Sequence, residues 1–182
     1  GKQYSCNPKY ISEYIVSQYP DHFRIVWAFD NPDQCCHVVE KGVEVTKYGS
    51  IRFLFHFFTS RFLITNDGFG TYLNKRPDQC LIQTWHGGGA YKKVGQTLTP
   101  RSHSEKGRLI RSSFIMSNAD LYLSSCRKFT DLVIREAFNY DGEVLEVGMP
   151  RNDFLLSESE PPRRVRHLYH VPNDNLVLVY AP

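Results

Sequence analysis

Short apolar runs that stop abruptly at turn-forming residues recur along this chain, and stretches with helical spacing lie between them. Phe62-Leu63-Ile64-Thr65 ends in Asn66-Asp67-Gly68, Cys80 to Trp85 ends in a glycine triplet, Leu121-Tyr122-Leu123 ends in Ser124-Ser125, and Val144 to Val147 ends in Gly148. Nearly continuous apolarity over so few residues marks a strand covered on both faces, the condition inside a parallel sheet. Upstream, Asn7 as a side-chain cap and Pro8 at the first helical position open a helix that ends before Pro20, with Tyr10, Ile11, Tyr14 and Ile15 on one face. Phe23 to Phe29 and Val43 to Val45 read as two further strands. Ile51 to Phe58 alternates like a strand at Ile51, Phe53, Phe55 and Phe57, but its unbroken apolarity suits a buried helix, and a helix is the expectation. Helices are also expected from Lys106 to about Ser117, and after Ser125, where Phe129, Leu132, Val133 and Ala137 share a face. Strands alternating with helices predict a doubly wound α/β domain, a parallel sheet with helices on both faces. Ligands of such sheets sit beyond the carboxyl ends of the strands.

A length of 182 residues fits one domain with a tail. The pattern breaks at Ser157 to Arg166, a polar stretch with Pro161-Pro162 in its middle, after which Asn175 to Tyr180 reads as a fresh strand. The expectation is therefore a first domain over residues 1–157. Residues 158–182 would be a connector and the first strand of a second, truncated domain. The other reading is a last strand that completes the same sheet. The absence of an initiator Met points to a natural start further upstream.

The formal net charge of +3 names no partner by itself. Its distribution is more informative: between His86 and Ser112 stand Lys92, Lys93, Arg101, Lys106, Arg108 and Arg111 against one acid, Glu105. This is either a solvated helix face or a site for something anionic. The five cysteines, Cys6, Cys35, Cys36, Cys80 and Cys126, are odd in number and form no CxxC pair, which suits a reducing cytoplasm. The longest apolar stretch, Ile51 to Phe58, is far short of the ~20 residues of a membrane helix. No spacing suggests a metal site, and no cofactor is expected.

Two segments carry candidate chemistry. In Trp85-His86-Gly87-Gly88-Gly89-Ala90-Tyr91-Lys92-Lys93 an imidazole follows a buried strand, then come three residues without side chains, then paired cations. Glycines let backbone N–H groups approach an anion, a histidine of ordinary pKa ~6.5 can take a proton from a hydroxyl, and lysines can neutralise phosphate. A single histidine is more often structural and glycine triplets often mark plain turns, so spacing alone leaves both readings open. Neither the GxxxxGKS/T phosphate loop nor the GxGxxG dinucleotide fingerprint is present. The second segment is Gly148-Met149-Pro150-Arg151-Asn152-Asp153. Arg151 there offers a guanidinium fork for phosphate or carboxylate, with Asp153 to orient it, while Asn152 or Asp153 can equally cap a short helix.

Taken in order, Trp85-His86-Gly87, Lys92-Lys93, Gly95, Gly148-x-Pro150-Arg151-Asn152-Asp153 and Val179-Tyr180-Ala181-Pro182 resemble the CDP-glycerol:poly(glycerophosphate) glycerophosphotransferases, the teichoic acid polymerases and related capsule enzymes. Asn7-Pro8-Lys9 with Tyr14, and Trp27-Ala28-Phe29, are similar to that family's opening segments, so the likeness runs over essentially the whole chain. It departs in two places. Gly88-Gly89 stand where many members have Thr-Pro, with one extra residue before the lysines, and Cys6 stands where an acid is frequent.

The resemblance implies a GT-B architecture of two Rossmann-like domains, of which this chain would be the acceptor-side one. It implies His86 as catalytic base, with Gly87, Gly88, Gly89, Lys92, Lys93, Arg151 and Asp153 around substrate phosphate. Arg101, Lys106, Arg108 and Arg111 would face the acceptor or an anionic membrane surface. The implied donor is CDP-glycerol or a similar CDP-alditol held by the absent second domain, and the implied acceptor a membrane-anchored polyol phosphate or glycan lipid. The implied place is the cytoplasmic face of the membrane. A nucleotide-sugar glycosyltransferase and a non-catalytic polyanion- or lipid-binding module are the alternatives. Nucleic acid is not expected, because the aromatics lie inside apolar runs instead of alternating with the basic cluster.

Overall fold

The structure is a computed structural model that describes residues 3–70, 72–156, 166–172 and 174–178. The chain divides into two compact units, Gly1–Arg151 and Asn152–Pro182.

The first unit holds α1 (Cys6–Gln18), β1 (Val26–Phe29), α2 (Cys36–Val39), β2 (Glu44–Lys47), α3 (Ile51–Thr59), β3 (Phe62–Thr65), β4 (Cys80–Gln83), α4 (His103–Ser117), β5 (Leu121–Ser124), α5 (Arg127–Phe129) and β6 (Glu143–Glu146). Each strand expected before residue 150 is present. β1 pairs with β2, and β3-β4-β5-β6 form a four-stranded sheet in that order, with every pairing parallel. Strands laid side by side in parallel cannot be joined by hairpins, so each link must cross back over the sheet. Two of these crossovers are α4 and α5. The result is the expected α/β fold, a parallel sheet flanked by helices.

The ambiguous run Ile51–Thr59 is a helix. The Ser50 hydroxyl accepts from the Phe53 N–H as its amino-terminal cap, and Phe53 and Phe57 turn inward onto Leu63 and Leu81. Three apolar clusters hold the unit: one of Phe29, Val38 and Val43, one around Phe53 and Phe57, and one of Tyr122, Phe129, Ile134, Phe138 and Met149. Fully burying one such side chain contributes about 1.5–3 kcal/mol.

Two helices differ from their expected faces. In α1 the buried residues are Asn7 and Ser12, whereas Tyr14 is 60% exposed. The inward side of α1 is a polar seam, because the Tyr4 hydroxyl and the Trp27 indole N–H both reach the Ser12 hydroxyl. Beyond Phe129, α5 continues as a π-helix, Thr130–Ala137, in which the Phe138 N–H donates to Val133 five residues back. The wider turn brings Ile134 inward and leaves Leu132 exposed.

A 3₁₀ segment, Pro150–Leu156, starts in the last two residues of the first unit and buries none of its residues. In the second unit residues 166–172 form a tight turn, in which the Val171 N–H donates to Arg166 O and the Arg166 guanidinium donates to Pro172 O. Leu176–Leu178, expected to open a strand, are exposed and pair with no strand among the described residues. Val179, Tyr180, Ala181 and Pro182, and most of the expected connector, lie outside the described residues. No helix among the described residues is long and apolar enough to cross a membrane.

Candidate functional site

The exits of β4, β5 and β6 meet at one edge of the sheet, its carboxyl end. Three cross-links join them. The Gly148 N–H donates to Ser124 O at 3.1 Å, the Ser125 hydroxyl donates to Gly88 O at 2.7 Å, and the Arg151 guanidinium donates to His86 O at 2.8 Å. The two segments singled out in the sequence are therefore in contact, although 65 residues separate His86 from Arg151.

His86 follows a strained residue. Trp85 has φ +49°, in the left-handed region that a bulky side chain avoids, and such a conformation persists only where the surroundings over-determine it. Here the Trp85 N–H donates to Gln83 Oε1 at 2.9 Å, and its carbonyl accepts from Asn7 Nδ2 at 3.0 Å. The indole lies edge-on to Phe138, centroids 4.8 Å apart, and the His86 ring stacks on it at 4.1 Å. A Cβ on Gly87 would come within 3.0 Å of the indole Nε1, so a side chain there would press on the stack.

The His86 imidazole is thus covered on one face and open to solvent on the other. That partial burial is the largest influence on its pKa, which is lowered from the ordinary value. Lys92 and Arg151 lower it further, against the opposing pull of Asp67. Desolvation and nearby positive charge both disfavour the imidazolium, so the ring is neutral at pH 7 and available to accept a proton.

Asn7 is the residue that sequence reasoning misplaced. The expected helix cap sits inside α1 and is fully buried. Its Nδ2 donates to Thr84 O (3.1 Å) and Trp85 O (3.0 Å) and contacts Met149 Sδ (3.3 Å), while its Oδ1 accepts from the Arg151 N–H at 3.3 Å. Two carbonyls can be met only by the amide nitrogen and an N–H only by the oxygen, so the orientation of the amide is fixed. The Trp85 carbonyl also accepts from the Thr84 hydroxyl at 3.2 Å, so removing Asn7 would strip Thr84 O of its bond, a loss of about 1–3 kcal/mol for a buried carbonyl left unpaired. The Asn7-Pro8 pair was visible in the sequence, but nothing local tells a cap from a long-range clamp.

The other candidates scatter. Lys92 is close enough to act on His86, and both Lys92 and Lys93 are exposed. Gly88 and Gly89 continue the irregular loop after β4. Arg101 and Lys106 are exposed at the start of α4, and the side chains of Arg108 and Arg111 lie outside the described part. Asp153, expected to orient Arg151, belongs to the second unit; the Arg151 guanidinium contacts His86 O and, at 3.4 Å, Cys6 Sγ. Among the described residues no three His, Cys, Asp or Glu side chains gather as a metal site.

The structure thus defines an α/β protein in which an exposed imidazole follows β4 and a guanidinium from the turn after β6 bonds its backbone carbonyl, both at the carboxyl end of a parallel sheet, where proteins of this class bind their ligands. The CDP-Glycerol:Poly(glycerophosphate) glycerophosphotransferase family model matches residues 1–182, and the chain belongs to that family. It is 32% identical over 187 residues to the teichoic acid poly(glycerol phosphate) polymerase of Staphylococcus epidermidis, covering all of this chain and 26% of that protein. The polymerase of the same description from Bacillus subtilis is 29% identical over 190 residues, with 24% of its length covered. A solved structure of the wall teichoic acid polymerase TagF, a histidine-to-asparagine variant soaked with CDPG, superposes with a TM-score of 0.81 at 30% identity, over 96% of this chain and 43% of that one. The chain thus spans about a quarter of the length of these two polymerases.

Proposed function

We propose that this chain is the acceptor-side part of an enzyme that transfers glycerol phosphate, or a related alditol phosphate, from a CDP-alditol to a hydroxyl of a wall teichoic acid or capsule polymer. The observation that carries this reading is His86, an exposed imidazole with a lowered pKa, next to Arg151 and Lys92 at the strand exits. His86 takes the proton of the acceptor hydroxyl as that oxygen attacks the β-phosphoryl group. A new O–P bond forms, the bond between the two phosphates breaks, and CMP leaves. Arg151 counters the phosphoryl charge, the main electrostatic task in such a transfer, Lys92 and Lys93 attract the anionic acceptor, and Gly87, Gly88 and Gly89 let the backbone approach it.

Membership of the family supports the reaction class, and the TagF variant soaked with CDPG supports the donor class. In this reading the chain is one half of a GT-B enzyme, and the donor is held by a second domain that begins near residue 158. Arg101, Lys106, Arg108 and Arg111 face a membrane-anchored acceptor at the cytoplasmic surface.

The deciding experiment uses the full-length protein, a panel of CDP-alditols and nucleotide sugars, and two variants. His86→Ala should lower kcat roughly 100-fold or more, the usual size of a general-base contribution, with donor affinity nearly unchanged. His86→Asn should fold and be inactive. A His86→Asn protein with near wild-type kcat would remove the base from the mechanism, and turnover only with nucleotide sugars would replace the reaction class. The 182-residue chain alone should fold without turning over.

A further inference from the structure

Asn7 is 0% exposed, and a buried amide is stable only where its hydrogen bonds are met. A helix-end asparagine ordinarily finds its partners within a few residues. Asn7 finds them 77, 78, 142 and 144 positions away, on the two loops that carry His86 and Arg151. One planar group therefore spans both backbones. Its Nδ2 holds the carbonyl of strained Trp85, on the peptide that leads into His86, and its Oδ1 holds the Arg151 N–H. The Arg151 guanidinium then closes the ring on His86 O.

We infer that Asn7 is a positioning residue that sets the His86 loop against the Arg151 turn, and so fixes where the base and the guanidinium stand relative to one another. It touches no reacting atom. Its influence passes through Trp85, on whose indole the His86 ring lies. The inference rests on the reading of His86 as base, but its placement of the two loops can be measured without turnover.

The test is made in the full-length protein with Asn7→Asp and Asn7→Ala. Aspartate keeps the size of the side chain and an acceptor for the Arg151 N–H, but turns an oxygen toward two carbonyls that need a donor. In folded variants kcat should fall roughly 10- to 100-fold, the scale set by ångström misplacement of reacting groups, with donor KM within about twofold. The titration midpoint of His86, followed by ¹³C-labelled histidine NMR, should move up toward ~6.5 as the ring leaves its stack. A folded variant with kcat within about threefold of wild type overturns the inference. So does a loss of kcat with the His86 midpoint unmoved, because that pattern belongs to a merely structural residue. Should neither variant fold, amide exchange in the wild-type protein decides: a protected Arg151 N–H upholds the clamp, and exchange at the rate of an open amide refutes it. Failure of the wild-type protein to transfer alditol phosphate would sink the proposed function, while the titration and the exchange still judge Asn7.

Discussion

Residues 85–88 and the basic side chains between residues 91 and 106 are close in sequence, yet they are held in opposite ways. In the first stretch Trp85 is bound through its N–H, its carbonyl and its ring, His86 through its carbonyl and its ring, and Gly88 through its carbonyl. In the second, Tyr91 is 93% exposed and Lys92, Lys93, Arg101 and Lys106 stand in solvent. The difference separates two uses of charge. A fixed group fits the demands of a reacting centre, whereas solvated cations attract anions from a distance, and salt screens that attraction.

The comparison breaks most sharply at Arg151, which ties the pinned stretch down and carries charge as well. Arg151→Ala in the full-length enzyme should lower kcat roughly 100-fold, and Arg151→Lys, which keeps the charge but loses the fork, should recover only part of it. Equal activity for the Lys variant and wild type would show that charge alone matters there. Next comes Gly95, where the loop closes against α5: its φ is +54°, and a Cβ would meet the Ala137 carbonyl oxygen at 2.1 Å. Gly95→Ala should cost about 2–4 kcal/mol of stability, seen as an early thermal unfolding transition, and an unchanged Tm would place the loop elsewhere.

A smaller effect is expected in the pH profile. Because the pKa of His86 is lowered, kcat/KM should hold at pH 7 and fall on the acid side, with a midpoint below ~6.5. Lys92 is one of the lowering influences, so Lys92→Gln should move that midpoint up, and Asp67→Asn should move it down. A midpoint that ignores both variants would mean another group titrates. Smallest is the joint change Lys92→Gln with Lys93→Gln, which should raise the acceptor KM about threefold at low salt and less at high salt, leaving stability unaltered. A salt-independent loss of kcat would move those lysines into the pinned class.

The parts of this contrast that were legible in the sequence are the ones written locally. Phe62–Thr65 forms a strand as expected, Ile51–Thr59 forms a helix, and the glycine loop follows its strand, because apolar runs and turn residues act over a few positions. The inward face of α1 was not legible: the apolar residues Tyr10, Ile11, Tyr14 and Ile15 suggested one stripe, while Asn7 and Ser12 are buried because their partners, Trp27, Thr84, Trp85 and Arg151, lie far along the chain. The π-helical turn after Phe129 likewise exchanged Leu132 for Ile134 on the buried side, a shift that 3.6-residue periodicity cannot foresee. His86 and Arg151 were legible as candidates. Their contact was not, since it depends on strand order.

The bond from Arg151 to Asn7 joins positions 144 apart, which has a consequence for how the protein comes off the ribosome. At ~5–20 residues per second, Asn7 is synthesised roughly 7–30 s before the residue that completes its hydrogen bonds. Through that interval α1 carries an amide that will later be buried but is not yet satisfied, so the helix has reason to stay undocked, where chaperones can reach it. The edge that carries His86 and Arg151 is therefore among the last parts of this unit able to close.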